Sequence, residues 1–272
     1  MTHWDGLAQR TALVTGGSRG IGHGIVKALA EAGAQVFFCG RDAAAGRRAE
    51  QELTGAGLKV RFLVADLQSE KAVEHMAAAI GSQAEVDILV NNVGGAHDAG
   101  AGSRPFDHIP ARDWLGTFVI CVQSIVLATN SFLPAMKKKG WGRVINISSK
   151  SGVEPGLSPA DYATAKGAIN TLTVSLATTL AKTGITANTI SPGPILTDAL
   201  QSYIDTIAAA RGWTETGDAL ERRFVDEVMP LKVSRIGRPA DIGAAVAFLA
   251  SPAADYITGA NLRIDGGLSA AV

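Results

Sequence analysis

The chain contains one stretch that decides its fold, the glycine-rich turn Thr15-Gly16-Gly17-Ser18-Arg19-Gly20-Ile21-Gly22. The apolar run Thr11–Thr15 leads into this turn, and an Ala-rich helical pattern follows it. Backbone N–H groups at such a strand-to-helix turn point at an anion, and the helix dipole favours negative charge there. The spacing G-x-x-x-G-x-G differs from the G-x-G-x-x-G fingerprint, and no Lys-Ser/Thr pair follows, which excludes a P-loop. After the first strand of an alternating series, this turn predicts a dinucleotide phosphate site.

The same alternation of strand and helix continues along the chain. Short runs of apolar and β-branched residues predict parallel strands that are covered on both faces. The segments between them predict helices, among them Gly20–Ala32, Asp42–Leu53 and Ser69–Ile80. No linker interrupts this pattern, so we expect a single doubly wound α/β domain over residues 1–272 that binds the dinucleotide and carries the catalytic site. The seven predicted strands are Thr11–Thr15, Gln35–Cys39, Val60–Val64, Val86–Val90, Arg143–Ile147, Ile185–Ile190 and Asn261–Ile264.

The composition excludes several classes of protein. The 272 residues hold 25 Lys+Arg, 25 Asp+Glu and 47% hydrophobic residues, which argues against disorder and against nucleic acid or anionic membrane as a partner. Cys39 and Cys121 form no CxxC pair, so we expect neither a disulfide nor a zinc framework, and a cytoplasmic location fits best. The five histidines show no metal-binding spacing, and no metal is predicted. Neither a signal-peptide pattern nor an apolar run of about 18 residues is visible, so no membrane span is expected.

The end of the second strand indicates which dinucleotide is bound. An acidic residue there binds the ribose 2′-hydroxyl of NAD, whereas a basic one accommodates the 2′-phosphate of NADP. Here Gly40 occupies the acidic position, Arg41 follows it, and Arg19 lies in the glycine turn. Two guanidinium groups without a carboxylate favour NADP(H) over NAD(H). Asp42 complicates this interpretation, because it either pairs with Arg41 or caps the next helix.

A candidate catalytic group follows the fifth strand. Tyr162 and Lys166 are four residues apart, which places them on one face of a helix. A phenol is almost fully protonated at neutral pH, and a nearby ammonium stabilises its ionised form, which gives a usable general acid/base. A serine from the preceding strand end, where Ser148 and Ser149 lie, would donate to a carbonyl oxygen as charge develops there. Taken singly, these residues are also compatible with an ordinary helix surface.

Five motifs in register resemble the short-chain dehydrogenase/reductase family over roughly residues 7 to 268. The resemblance implies a single-domain Rossmann-type fold. The glycine turn and Gly40-Arg41 are similar to those of NADPH-dependent members, including the 3-oxoacyl-carrier reductases. The motifs are Thr15–Gly22, Asn91-Asn92-Val93-Gly94, Ser149, Tyr162 with Lys166, and Ser191-Pro192-Gly193-Pro194-Ile195-Leu196-Thr197.

The resemblance also implies roles for individual residues. Tyr162 would be the general acid/base, Lys166 would support it and hold the nicotinamide ribose, and Ser149 would polarise the substrate carbonyl. The hydride chemistry itself belongs to the cofactor. The implied cofactor-binding residues are Gly16, Ser18, Arg19, Gly20, Ile21, Gly22, Arg41, Asp66, Leu67, Asn92, Gly94, Tyr162, Lys166, Pro192, Gly193, Ile195 and Thr197.

The chain departs from the family pattern at one important position. Counting from Trp114 and from Met136, the Asn that family members use in a proton relay to the Lys falls on Cys121. A relay that uses mainly the backbone carbonyl at this position tolerates Cys. A relay that needs the amide would be weakened, or rebuilt with Gln123 or Ser124. Val93, in place of the family's Ala, is a milder change.

The segment Asp198–Ser234 is an insertion that we expect to be helical and to cover the site as a substrate lid, since it follows Thr197 directly. The alternative is a packed helical pair without ligand contact.

We predict an NADPH-dependent carbonyl reductase or alcohol dehydrogenase acting on a small ketone or secondary alcohol. A 3-oxoacyl-carrier-protein reductase and a non-catalytic NADP(H) sensor are the alternatives. Family analogy predicts a homo-oligomer, a tetramer, in which Ser124–Met136 and Ala168–Ala181 pack across a two-fold axis and the C-terminal strand also takes part. The alternative is that both segments are ordinary core within one chain.

Overall fold

The computed structural model describes residues 6–96, 105–156 and 158–270. Within these residues seven parallel strands form one sheet in the order β3-β2-β1-β4-β5-β6-β7. This confirms the predicted doubly wound, Rossmann-type fold. The strand order reverses between β1 and β4, so a ligand crevice is expected at the carboxyl ends of these two strands. The strands are β1 (Thr11–Thr15), β2 (Gln35–Gly40), β3 (Val60–Val64), β4 (Ile88–Asn91), β5 (Gly142–Ile147), β6 (Ile185–Pro192) and β7 (Asn261–Ile264).

Helices cover both faces of the sheet, as predicted. Three of them start at side-chain caps: Asp42 accepts from the Ala45 N–H at 3.0 Å, Ser69 accepts from the Ala72 N–H at 3.3 Å, and Thr197 accepts from the Leu200 N–H at 3.4 Å. The helices are α1 (Gly20–Glu31), α2 (Ala43–Gly55), α3 (Glu70–Gly81), α4 (Ala111–Phe118), α5 (Ser124–Lys139), α6 (Ala160–Thr179), α7 (Asp198–Arg211), α8 (Gly217–Glu227) and α9 (Pro239–Ala250).

The fourth strand begins two residues later than the sequence predicts. The carboxylate of Asp87 accepts a hydrogen bond from the Thr11 N–H at 3.0 Å. In a longer ladder, a backbone carbonyl of the neighbouring strand would accept from this N–H. Ladder pairing with β1 therefore begins at Ile88. A side chain that competes for a backbone donor is not visible in an apolar pattern, and this explains the difference.

Each face of the sheet has its own hydrophobic core. On one face, α1 and α9 pack together against residues such as Val14 and Ile145. On the other face, α3 and α5 pack against residues such as Leu13 and Val144. All of β1 is buried, which agrees with its nearly continuous apolar sequence.

One helical stretch among the described residues, Ala111–Lys139, is long and apolar enough to cross a membrane, with a mean hydropathy of 1.7. It comprises α4, a short π-helical turn and α5. A core helix of a folded domain passes the same test of length and composition. Here α5 packs against α3 and β5.

The predicted insertion is a helical hairpin, α7 and α8, with a small hydrophobic core of its own. Phe224 is fully buried in this core, and Tyr203 packs edge-on against it with ring centres 6.1 Å apart. At the base of the hairpin, Ile195 pairs with Gly237, so both chain segments that enter and leave it are held together. The buried core residues are Ile204, Ala208, Leu220, Phe224, Val225 and Ile236.

Candidate active site

The turn between β1 and α1 has no room for larger side chains. Gly16 and Gly20 have φ values of +68° and +55°, a region that L-residues rarely adopt. A Cβ on Gly22 would lie 2.1 Å from the carbonyl oxygen of Gly16, so α1 begins directly against the strand end. Arg19 at the N-cap makes no side-chain capping bond. The first amides of α1 are therefore available to an anion, as the sequence predicts.

Asn92 supports this turn from the end of β4. Its side-chain amide donates to the carbonyl oxygens of Thr15 and Gly16 at 2.9 and 3.2 Å. Its backbone N–H donates to the Thr15 hydroxyl at 2.9 Å. The Asn92 side chain thus holds the glycine turn in place.

Two exposed arginines lie near the carboxyl end of β2. Arg41 follows the strand directly, and Arg19 belongs to the glycine turn. A Cβ on Gly40 would lie 3.4 Å from Ser18 Oγ, so these residues surround one small space. Asp42 caps α2, and this decides between its two possible roles. The hydrogen bond from the Ala45 N–H holds the pKa of Asp42 below its ordinary value, with smaller contributions from the charges of Arg48 and Arg19.

The two serines after β5 have different partners. Ser148 Oγ donates to the carbonyl oxygen of Lys166 at 2.8 Å and so joins β5 to α6. Ser149 Oγ instead accepts from the Ser151 N–H at 3.1 Å, and within the described ranges its own proton is donated to no other group. Of the two hydroxyls, that of Ser149 is therefore the one able to donate to a bound carbonyl.

Tyr162 and Lys166 lie on successive turns at the start of α6. Tyr162 is half-buried, whereas Lys166 is only 3% exposed. Lys166 Nζ donates to the carbonyl oxygen of Ile147 at 2.9 Å and lies 5.6 Å from the centre of the Tyr162 ring. A Cβ on Gly94 would lie 2.8 Å from Nζ, so the glycine allows the ammonium to approach the segment after β4.

Cys121 lies in the π-helical turn between α4 and α5 and is fully buried. Its thiol accepts from the N–H of Gly95 and donates to the carbonyl oxygen of the same residue, both at 3.4 Å. The hydroxyl of Ser124 donates to its own helix backbone, and Gln123 is exposed. In the described part of the chain neither of them contacts Lys166, so a relay rebuilt through these side chains receives no support.

A cavity of about 470 Å³ brings most of the predicted residues together at the carboxyl ends of the strands. The predicted residues that line it are Gly16, Ser18, Arg19, Ile21, Gly22, Arg41, Asp66, Leu67, Asn92, Gly94, Tyr162, Lys166 and Thr197. It is also lined by residues that were not assigned to the site from sequence, namely Gly40, Asp42, Ala65, Gln68, Val93, Ile120, Ile147 and Ser148. Most of these are direct sequence neighbours of a predicted site residue, and that proximity was the signal from which they could have been predicted. Ile120 had none, because it reaches the cavity from the π-helical turn.

The remaining predicted residues are Ser149, Gly20, Pro192, Gly193 and Ile195, and they do not line this cavity. A Cβ on Gly193 would lie 2.6 Å from Cα of Asp265, so this glycine permits close contact with the C-terminal segment. Ile195 belongs to the base of the α7–α8 hairpin. The contacts of Gly193 and Ile195 thus join the segment that follows β6 to neighbouring parts of the protein.

The model of the family described as short chain dehydrogenase matches residues 10–208, which include the glycine turn and the Ser149, Tyr162 and Lys166 group. The chain belongs to the short-chain dehydrogenase family. It is therefore an oxidoreductase of the kind that acts on CH–OH or C=O groups with a nicotinamide cofactor.

Relatives of this short-chain dehydrogenase match almost its whole length. It is 36% identical to D-beta-hydroxybutyrate dehydrogenase of Cupriavidus necator, over 96% of this chain and 98% of that protein. It is 34% identical to the 3-oxoacyl-[acyl-carrier-protein] reductase FabG of Vibrio cholerae, again over 96% and 98%. Among solved structures, L-sorbose reductase from Gluconobacter frateurii, complexed with NADPH and L-sorbose, superposes with a TM-score of 0.89 at 25% identity, covering 98% of this chain and 99% of that one.

Proposed function

We propose that this protein is an NADPH-dependent carbonyl reductase or alcohol dehydrogenase that interconverts a small ketone and a secondary alcohol. One observation carries the proposal: Tyr162 and Lys166 line the same cavity as the glycine turn, and Ser149 precedes them at the end of β5. An acid/base group, a hydroxyl donor and an anion-binding turn at one sheet edge are the parts that hydride transfer to a carbonyl requires.

The residues of the cavity fit NADP(H). The uncapped first turn of α1 and the bare backbone at Gly22 would hold the pyrophosphate. Arg19 and Arg41, with Gly40 in place of an acidic residue, would hold the 2′-phosphate, and the NADPH complex of L-sorbose reductase agrees with this choice. When bound, the cofactor supplies or accepts the hydride.

The chain's own groups would handle the substrate oxygen and its proton. Ser149 would donate a hydrogen bond to the carbonyl oxygen, because its hydroxyl accepts from the Ser151 N–H and donates to no group among the described residues. Tyr162 would give its phenolic proton to the same oxygen during reduction and take it back during oxidation. Lys166, buried beside the phenol, would stabilise the phenolate and orient the cofactor ribose.

A panel of ketones and secondary alcohols tests this proposal, with NADPH and NADH compared in parallel by loss of the reduced-cofactor absorbance. We expect turnover with NADPH, and a decrease in kcat of about 10²- to 10⁴-fold in Tyr162→Phe without loss of cofactor binding. Tyr256→Phe is the control, since Tyr256 is fully exposed. Tight NADPH binding with no turnover on any substrate would favour the sensor, and a clear preference for NADH would contradict the assignment to Arg19 and Arg41.

A 3-oxoacyl-carrier-protein reductase is the second candidate, and the similarity to FabG favours it. An acidic carrier needs basic residues beside the cleft. Lys137–Lys139 do not meet this need, because α5 ends at the opposite edge of the sheet, where Lys139 pairs with Asp87 just before β4. A carrier-linked 3-oxoacyl substrate therefore belongs in the same panel, and a much higher kcat/KM for it than for free ketones would establish this candidate.

We also propose that the α7–α8 hairpin acts as a substrate lid and that the chain forms a homotetramer. The hairpin leaves the sheet edge directly after Thr197, which lines the cavity. Most of its aromatic side chains support its own fold, since Phe224 is buried and Trp213 packs beneath Arg211 and Arg223.

The surfaces of α5 and α6 support the proposed homotetramer. On these helices, the apolar residues Val126 and Val174 are 40% and 54% exposed, which suits an interface between copies. Light scattering on the purified protein measures the oligomeric state.

A further inference from the structure

A second, polar groove of about 500 Å³ runs along the outer side of the glycine turn. It shares Ser18, Arg19 and Asp42 with the cofactor cavity, so the two spaces meet at these residues. The 2′-phosphate of NADP(H), as placed by the proposed function, lies at this junction. On its far side the groove is lined by α2, from which Ala45, Arg48, Ala49 and Glu52 face it.

Asp42 places a negative charge at the junction. Its carboxylate caps α2 through the Ala45 N–H, and its pKa is held low chiefly by that bond, so it is ionised at neutral pH. A carboxylate beside a phosphate dianion is repelled by it, and because Asp42 is exposed, water and salt partly screen this repulsion. A site for the 2′-phosphate at this junction therefore requires a positive charge that offsets Asp42.

Arg48 is placed to provide that charge. It lies on the groove face of α2, and its field acts on Asp42. Arg48, Arg19 and Arg41 are all exposed, and in the described residues none of them has an ion pair with a carboxylate. Two further carboxylates line the groove: Glu52 on α2, whose Oε2 lies 3.6 Å from His23 Nε2, and Asp198 at the start of α7.

We propose that Arg48 is a specificity-determining residue for the 2′-phosphate of NADP(H), because it offsets the charge of Asp42 and adds a positive charge at the outer rim of the phosphate site. The inference rests on the proposed function. It assigns to α2 a part in cofactor selection that lies outside the glycine turn and the tip of β2.

Arg48→Gln tests the inference, with Arg47→Gln as the matched control. Arg47 is the preceding residue on the same helix and is also exposed, but it does not line the groove. We expect Arg48→Gln to raise the Kd for NADPH roughly three- to tenfold, in the range of one partly screened charge interaction, and to leave the Kd for NADH within about twofold. The effect on NADPH should shrink at high salt, because these groups are exposed.

Asp42→Asn provides a second, independent readout. Asn caps helices as well as Asp does, so α2 should keep its first turn while the negative charge is lost. Because charge interactions with the phosphate add pairwise, Asp42→Asn should by itself lower the Kd for NADPH, and the double variant Asp42→Asn/Arg48→Gln should bind NADPH about as tightly as the wild type. A Kd for NADPH that Asp42→Asn leaves unchanged would overturn the premise that Arg48 offsets a repulsive charge.

The wild-type protein and Arg41→Gln separate the possible failures. The Arg48 inference alone is overturned if the wild type prefers NADPH, Arg41→Gln loses that preference, and Arg48→Gln behaves like Arg47→Gln. If the wild type binds NADH as tightly as NADPH, the proposed cofactor preference fails, and the inference fails with it.

Discussion

Gly22 has a backbone neighbour at the point where any other residue has its Cβ. In Gly22→Ala the added carbon would lie 2.1 Å from the Gly16 carbonyl oxygen and 2.6 Å from the Asn92 amide nitrogen, so the turn must open. We expect the free energy of unfolding to fall by about 1–3 kcal/mol and NADPH binding to be lost. Thermal denaturation and a cofactor titration measure the two effects.

Gly55→Ala is the control for this substitution. A Cβ at Gly55 meets nothing within 4 Å, so the melting temperature should stay the same or rise slightly. Normal NADPH binding by Gly22→Ala would show that the turn is not the phosphate site.

Cys121 shows how a site tolerates an unusual side chain. The thiol is fully buried and bonds to both backbone groups of Gly95, so a larger amide at this position would have to displace its neighbours. We expect Cys121→Asn to lose about 1–3 kcal/mol of stability through overpacking and not to gain kcat. Cys121→Ser, which is close in size, serves for comparison. A rise in kcat in Cys121→Asn, measured across a pH range, would show that the reaction lacks the amide.

At the scale of elements, the α7–α8 hairpin is fixed to the domain by an ion-pair cluster at its base. Glu221 on α8 accepts from the Ile236 N–H at 2.8 Å and from both terminal nitrogens of Arg238 at 3.0 and 2.6 Å. Arg235 makes a two-bond pair with Asp241 at the start of α9. These bonds hold the hairpin in position relative to α9.

The Glu221 cluster should make the hairpin base sensitive to acid. Desolvation opposes ionisation of Glu221, but the hydrogen bonds from Arg238 and Ile236 outweigh it and set its pKa below the ordinary value. A lowered folded-state pKa gives stabilisation that is complete above the ordinary Glu value of about 4.3 and is lost as the pH falls through the folded-state pKa. Glu221→Gln should therefore melt at a lower temperature than the wild type at pH 7.

The same comparison at a pH below the folded-state pKa of Glu221 completes the test, because the wild-type carboxyl is also protonated there and the difference should disappear. Glu74→Gln, an exposed substitution on α3, should leave the melting temperature unchanged at both pH values. A difference between Glu221→Gln and wild type that persists in acid would show that packing, and not charge, is responsible.

At the scale of the whole molecule, a chain of buried polar side chains runs across three neighbouring strands of the sheet and reaches α6. Asn91 Nδ2 donates to Asn146 Oδ1 at 2.8 Å, and Asn146 Nδ2 donates to the Thr173 hydroxyl of α6 at 2.9 Å. The Thr189 hydroxyl of β6 donates to Thr173 Oγ1 at 2.8 Å. All these groups are buried, so the bonds together fix the positions of β4, β5, β6 and α6 relative to one another.

Asn146→Ala should lower the free energy of unfolding by about 3 kcal/mol, since it leaves polar groups of Asn91 and Thr173 buried without this partner. Urea denaturation measures the loss. Gln51→Ala, an exposed change on α2, should stay within about 0.5 kcal/mol of the wild type. A loss for Asn146→Ala that is no larger than the control's would mean that the polar chain adds nothing to stability.

The strand pattern, the glycine turn and the Tyr162/Lys166 spacing were predictable from sequence, because each depends on residues a few positions apart. Seven apolar runs separated by amphipathic segments admit few arrangements other than a doubly wound parallel sheet. The carboxyl ends of parallel strands then meet at one edge, so residues that follow the strands gather there without further information. The cavity lining agrees with this for most of the predicted cofactor residues.

Contacts between distant residues were decided only in three dimensions. The partners of Ser148 and Ser149 depend on where α6 lies against β5, and this selects Ser149 as the available donor. The position of Lys137–Lys139 at the far edge of the sheet depends on the direction of α5. Sequence determined which residues this protein has at its strand ends, since local periodicity sets the strands. The tertiary structure decided which of their atoms remain free, since neighbours distant in sequence take up the others.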